Sequence, residues 1–133
     1  MLDYKQMFLE HLKRYGEVNK GQLRENLKYF PENVLPVAEE CGVRMAIHPD
    51  DPPYPVLGLP RIVGTPEDIR WILEVSDSSL HGFNFCAGSL PARRDNNLVK
   101  MAAEFAPRIQ FLHLRNTQCF DGDTFYESGS PRW

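Results

Sequence analysis

Three short apolar runs each end in a residue able to bind a metal. They are Val43-Arg-Met-Ala-Ile-His48, Phe83-Asn-Phe-Cys86 and Ile109-Gln-Phe-Leu-His113. Each reads as a β-strand, and the first two are followed by a loop and a helical pattern, which predicts a βαβαβ order and therefore a parallel sheet. Ligands of such sheets gather where the strands end at their carboxyl side. Residues dozens of positions apart can then meet at one place. Strand alternation puts Val43, Met45, Ile47, Phe83, Phe85, Leu112 and Leu114 on the outer face. Ala46, His48, Asn84, Cys86, Phe111 and His113 take the inner one.

The helical segments have readable limits. Tyr4, Phe8, Leu12 and Tyr15 recur at helical spacing from Asp3, with Gly16 as a stop. Leu23, Leu27, Phe30, Val34 and Val37 mark a second helix ending near Cys41-Gly42, in which Pro31 and Pro36 predict a kink or a break. Thr65-Pro-Glu-Asp68 joins a capping hydroxyl to proline at the first helical position and acids at the positive end of the dipole, so a third helix runs to about Ser76. Asp95 or Asn96 is expected to cap a fourth, carrying Leu98, Met101, Ala102 and Phe105 and closed by Pro107. The segment from Pro49 to Pro60 holds five prolines, counting both ends, together with Asp50 and Asp51. Such a segment predicts a pre-shaped wall rather than a loose connection.

At 133 residues, with 42% hydrophobic and 25% charged residues, the chain has the composition of one ordinary soluble domain. A net charge of -3 with dispersed Lys and Arg gives no footprint for nucleic acid. No apolar run is long enough to span a bilayer and the N-terminus lacks a signal-peptide core, so no membrane partner and a cytoplasmic location are expected. Cys41, Cys86 and Cys119 form neither an even set nor a CxxC pair, which predicts reduced thiols.

His48, Cys86 and His113 together offer two imidazoles and a thiolate, a donor set suited to a divalent transition metal. Taken singly, each reads more readily as packed core. Recurrence at three strand ends moves the reading to a metal site. Cys41, at a helix end, is expected in the core, and Cys119 in a polar loop. Asp50 and Asp51 are candidates to orient a ligand histidine, bind a sugar hydroxyl or move a proton, or else are solvated turn residues. Arg93, Arg94 and Arg115 offer guanidinium forks for a substrate carboxylate, with a surface role the plainer reading, most of all for Arg94. His81 is expected to pack or to lie on the surface, and His11 to face solvent.

Several stretches resemble the mannonate dehydratase family: Met45-Ala-Ile-His-Pro-Asp-Asp-Pro-Pro53, Gly58-Leu-Pro-Arg-Ile-Val63, Phe85-Cys-Ala-Gly-Ser89, Ala92-Arg93 with Asp95-Asn96, Pro107-Arg-Ile109 and His113-Leu-Arg115. They occur in order, from about Leu23 to Glu127. The resemblance implies an α/β fold, a partial TIM (β/α)8 barrel of about three parallel strands with flanking helices. It also implies Mn2+ or Fe2+ at His48, Cys86 and His113, and dehydration of D-mannonate to 2-keto-3-deoxy-D-gluconate in hexuronate (glucuronate) breakdown. Asp50, Ser89, Arg93 and Arg115 are expected on the substrate side. The family's aspartate ligand, its catalytic histidine and a later tyrosine have no counterpart here, so the catalytic acid and base are unknown. The chain reads as an internal fragment without activity of its own, with a helical lead-in over 1–42, the βαβαβ core over 43–118 and a loop with an atypical end over 119–133. The alternatives are a non-catalytic remnant that self-associates through open strand edges, or another metal-dependent sugar isomerase or epimerase. A homo-oligomer is kept open.

Overall fold

The computed structural model describes residues 3–121 and 124–129. In chain order the elements are α1 (Tyr4–Tyr15), α2 (Lys20–Glu40), β1 (Met45–Ile47), α3 (Pro66–Glu74), β2 (His81–Cys86), α4 (Leu98–Phe105), β3 (Ile109–His113), β4 (Thr117–Cys119) and β5 (Phe125–Glu127). β1, β2 and β3 form one parallel sheet in that spatial order, and β4 pairs with β5 antiparallel. The expected βαβαβ unit is present, with the short hairpin after it.

Capping chemistry sets the helix ends. Asp3 accepts from the Lys5 amide and Thr65 from the Asp68 amide, each relieving an orphan donor of a first turn. For α4 the cap is Asn97, which accepts from the Lys100 amide at 3.0 Å. The two residues expected there are occupied otherwise: Asn96 donates to the Gly64 and Leu90 carbonyls, and Asp95 pairs with Arg93.

Of the kink or break expected at Pro31 and Pro36, the break does not occur: α2 runs through both prolines as one helix. Pro31, Leu35 and Ala38 are its buried residues and fall on one face. Their packing offsets a local cost on the order of 3 kcal/mol per interior proline. The helix closes with Gly42 at φ 66°, its amide donating to the Glu39 carbonyl and that of Val43 to Ala38. This six-to-one and five-to-two pattern needs a residue with no Cβ penalty at the turn. It also uses Val43 to finish the helix, so β1 starts at Met45 rather than at Val43. Cys41 occupies the cap just before that turn and is exposed, not in the core as expected.

Phe83, Phe85, Ile69, Leu90, Met101 and Phe105 form one core cluster between β2 and the helices α3 and α4. A second joins Ile62, Val63 and Ile72, with Ile47 and Leu23 against it. Phe83 and Phe85 therefore take the outer face, as alternation predicts. Leu112 and Leu114, at the other end of the sheet, stay 53% and 84% exposed, and β3 keeps an open edge among the described residues. Asp68 is buried and ties α2 to α3 by accepting from Lys20 and Arg24, both at 2.7 Å. Burial raises its pKa, but the bonds from Lys20, Arg24 and Thr65 outweigh that and hold the carboxyl below its ordinary value.

His81 is fully buried at the start of β2, its Nε2 bonded to the Ile72 carbonyl at 2.8 Å, so the packing role is the one observed. Burial pushes its pKa below the ordinary imidazole value; the Ile72 carbonyl works against the shift and the Arg108 charge adds to it. Below about pH 6.5 the unfolded chain takes up a proton that the folded chain refuses, so stability falls as pH drops through that range. Urea unfolding at pH 7.5 and pH 5.5 should show a larger loss in the parent chain than in His81→Gln. An equal loss in both would remove His81 as the cause.

Candidate metal centre

β1 ends at Ile47, which pairs with Phe83, so His48 follows at the carboxyl end beside the inward-facing Asn84. Cys86 and His113 are the last residues of β2 and β3 and are register partners. One donor atom from each of His48, Cys86 and His113 lies within 4.8 Å of the others. The three residues singled out in the sequence thus meet at one point.

Their surroundings hold them differently. Cys86 is fully buried, and both the amide and the hydroxyl of Ser89 donate to its Sγ, at 3.4 and 3.2 Å. His48 is exposed, with Nδ1 2.6 Å from the Pro49 carbonyl oxygen and Nε2 3.1 Å from His113 Nδ1. His113 also lies 3.0 Å from the Asn84 amide. Phe111 stands edge-on to the His113 ring, on the inner face where alternation puts it.

The residues fit a divalent ion on two counts. Two borderline imidazoles and one soft thiolate are the donors that such ions choose. Beside them Asn84, only 5% exposed, keeps a buried amide oxygen with no hydrogen-bond partner. Buried polar atoms are rarely left so in an inert core.

The expected substrate-side residues are placed as follows. Asp50 accepts from the Ile62 and Val63 amides at 2.9 and 2.8 Å and faces Arg61, so its carboxylate anchors the proline-rich segment. Its own amide donates to the Val63 carbonyl. That segment, with a cis Asp51-Pro52 peptide and a buried Pro53, is pinned as a wall. Ser89 is buried and its hydroxyl is given to Cys86. Arg93 pairs with Asp95. Arg115 bonds Glu127 through Nε and Nη2 and Asp51 through Nη1, and these bonds hold its guanidinium further above its already high pKa. A salt link from Arg115 therefore joins the loop after β1 to β5. Arg94 is exposed, as is His11. Cys119 lies in β4 rather than in a loop, its thiol donating to the Pro91 carbonyl. Sequence reasoning placed Asn84 on the inner face but gave it no part in the site. Its spacing of two from Cys86 on one strand was the available signal.

A parallel three-stranded sheet with flanking helices, carrying at its carboxyl end three donors that could hold a metal ion, is the architecture of part of a TIM-type α/β barrel. Comparison with known proteins makes this specific. The sequence matches the D-mannonate dehydratase (UxuA) family over residues 3–132. It is 50% identical over 122 residues to the mannonate dehydratase of Chromohalobacter salexigens, covering 91% of this chain and 31% of that protein. Against the mannonate dehydratase of a Marinomonas species it is 48% identical over 113 residues, covering 85% of this chain and 29% of the relative. The crystal structure of mannonate dehydratase from Streptococcus suis serotype 2 superposes with a TM-score of 0.84 at 38% identity, over 88% of this chain and 34% of that one. The chain belongs to the D-mannonate dehydratase family. It spans about a third of the length of these relatives.

Proposed function

We propose that this chain supplies the metal-binding strands of a mannonate dehydratase, a carbon–oxygen lyase that converts D-mannonate to 2-keto-3-deoxy-D-gluconate in the cytoplasm during hexuronate breakdown. The observation that carries the reading is the convergence of His48, Cys86 and His113 at the carboxyl end of the sheet. Family membership supports the same chemistry. The resident ion in this reading is Mn2+ or Fe2+, and only the family likeness favours these over zinc for a Cys/His set. A divalent ion held there supplies Lewis acidity toward the substrate's oxygens.

The chain's own residues then have separable tasks. His48, Cys86 and His113 hold the ion, and Ser89 steadies the sulphur. Asp50 acts by keeping the Pro49–Val63 wall in place. Arg115 uses three of its five N–H groups on Asp51 and Glu127, leaving two for a sugar-acid carboxylate. Arg93 is the second candidate for that anion. Residues 1–42 serve as a helical lead-in, 43–118 carry the site and 119–133 extend beyond it. The partner is a small sugar acid rather than nucleic acid or a membrane. No helix among the described residues is long and apolar enough to cross a bilayer.

The 133-residue chain on its own should show no measurable turnover of mannonate, even with Mn2+ or Fe2+ and reductant. Its sheet has three strands where a closed barrel has eight, and loose positioning of reacting groups costs on the order of a hundredfold per ångström-scale misplacement. Co-expression with the remaining barrel of a family member should restore a chelator-sensitive activity toward mannonate and none toward aldoses or ketoses. Isomerase or epimerase activity in that assay would move the reading to another sugar reaction. The open β3 edge, with Phe111, Leu112 and Leu114 exposed, favours self-association as a second reading, which light scattering tests directly.

A further inference from the structure

The loops that follow the three donors are tied to one another. Asp51 lies three positions beyond His48, Gly88 two beyond Cys86 and Arg115 two beyond His113. Because β2 stands between β1 and β3, an Arg115 side chain that reaches Asp51 must cross the loop after β2, over two strand spacings of about 4.8 Å each. It crosses at Gly88, which is buried. A Cβ built there would lie 2.6 Å from Arg115 Cβ, 2.9 Å from Nε and 3.1 Å from Cδ, so either the loop or the arginine would have to move. Backbone conformation does not ask for glycine at this place, since positive φ among the described glycines is confined to Gly42 and Gly58. The Thr117 hydroxyl donates to the Gly88 carbonyl and fixes the loop from the hairpin side. At the far end the guanidinium reaches Asp51 through Nη1 at 3.0 Å, while Nε and Nη2 engage the two oxygens of Glu127 at 3.2 and 3.3 Å.

We infer that Gly88 is a positioning residue of the site: the space left by its missing side chain is the seat across which Arg115 straps the loops that follow His48, Cys86 and His113. Exposed ion pairs contribute little singly. Here they complete a path that the glycine opens, and a side chain at position 88 closes that path. The strap limits how far the three strand ends can move apart, which keeps the donors together. The consequence for metal affinity rests on the reading of His48, Cys86 and His113 as a metal centre, whereas the strap itself does not.

The test is a cycle of Gly88→Ala, Arg115→Gly and the double variant, each checked for folding by circular dichroism and titrated with Zn2+. Either single substitution should weaken Zn2+ binding by about tenfold, the lower end of the range for losing a group that orients a ligand. The double should bind no more weakly than Arg115→Gly. Losses that multiply to about a hundredfold in the double, or a Gly88→Ala chain with the parent's affinity, would overturn the inference. A Gly88→Ala chain too unstable to fold should be recovered by adding Arg115→Gly, and no recovery would overturn it as well. Spectra of the chain labelled with 15N-arginine read the strap without metal: Asp51→Asn should shift the Arg115 Nε–H signal in the parent and leave it in place in Gly88→Ala. A shift of equal size in both would overturn the strap. A folded parent chain that shows the strap and ignores Zn2+ would leave the strap standing and overturn the metal centre instead.

Discussion

Cys86→Ser should weaken divalent-metal binding by more than about a hundredfold, beyond the 10–100-fold typical of losing a residue that only orients a ligand. The thiolate is the soft member of the donor set, and a serine hydroxyl at the same place stays protonated and binds a divalent ion poorly. Cys86 is fully buried and its sulphur is already the focus of two Ser89 donors, so the substitution alters the donor with little change of shape. Cys41→Ser is the control. Cys41 is exposed at the end of α2, and its replacement should leave metal affinity unchanged and stability within about 0.5 kcal/mol. Equilibrium dialysis and urea unfolding on both variants provide the comparison, and equal metal affinity in the two would separate Cys86 from the ion.

The second large effect is on the sheet. Gly82→Ala should destabilise the fold by about 3 kcal/mol or more, the upper part of the range for forcing atoms into a packed interior. Gly82 is buried in the central strand β2 and pairs with Ala46. A Cβ there would collide with the Arg108 carbonyl and with the Gln110 side chain at the start of β3. Neither can retreat cheaply, since Arg108 also donates to the His81 and Ser76 carbonyls and Gln110 to that of Ser79. Gly129 has nothing within 4 Å of its added Cβ, so Gly129→Ala should shift the urea midpoint only slightly. A Gly82→Ala chain with the parent's midpoint would mean that β2 and β3 are not so closely packed.

The helices, the parallel strands and the three converging donors were legible in the sequence because they depend on local pattern, whereas the β4–β5 hairpin falls where a loop was expected. An apolar run ending in His48, Cys86 or His113 reports a strand and its carboxyl end at once. Thr65-Pro66 reports a helix start, since capping uses residues three apart. What escaped depends on contacts across the chain. The tolerance of α2 for two prolines comes from burying Pro31, Leu35 and Ala38 together. The partners of the Asp50 carboxylate were hidden in the same way, since the amides it accepts from belong to Ile62 and Val63, 12 and 13 residues on. The bond from Arg115 to Asp51 spans 64 residues, and that from Asn84 to His113 spans 29. Charge and polarity in a list of residues do not say which partner an acid or an amide will find. Capping of α4 by Asn97 rather than Asn96 is the same lesson at short range, since Asn96 is taken by the Gly64 and Leu90 carbonyls.

X-ray absorption on the Zn2+-loaded chain tests the central claim most directly, because it reads the atoms around the ion without requiring turnover. One sulphur at about 2.3 Å and two imidazole nitrogens at about 2.0–2.1 Å are expected, with the sulphur lost in Cys86→Ser and one imidazole lost in His113→Ala. A shell of oxygen and nitrogen alone, unchanged in both variants, would show that the ion binds elsewhere and that His48, Cys86 and His113 do not form the centre.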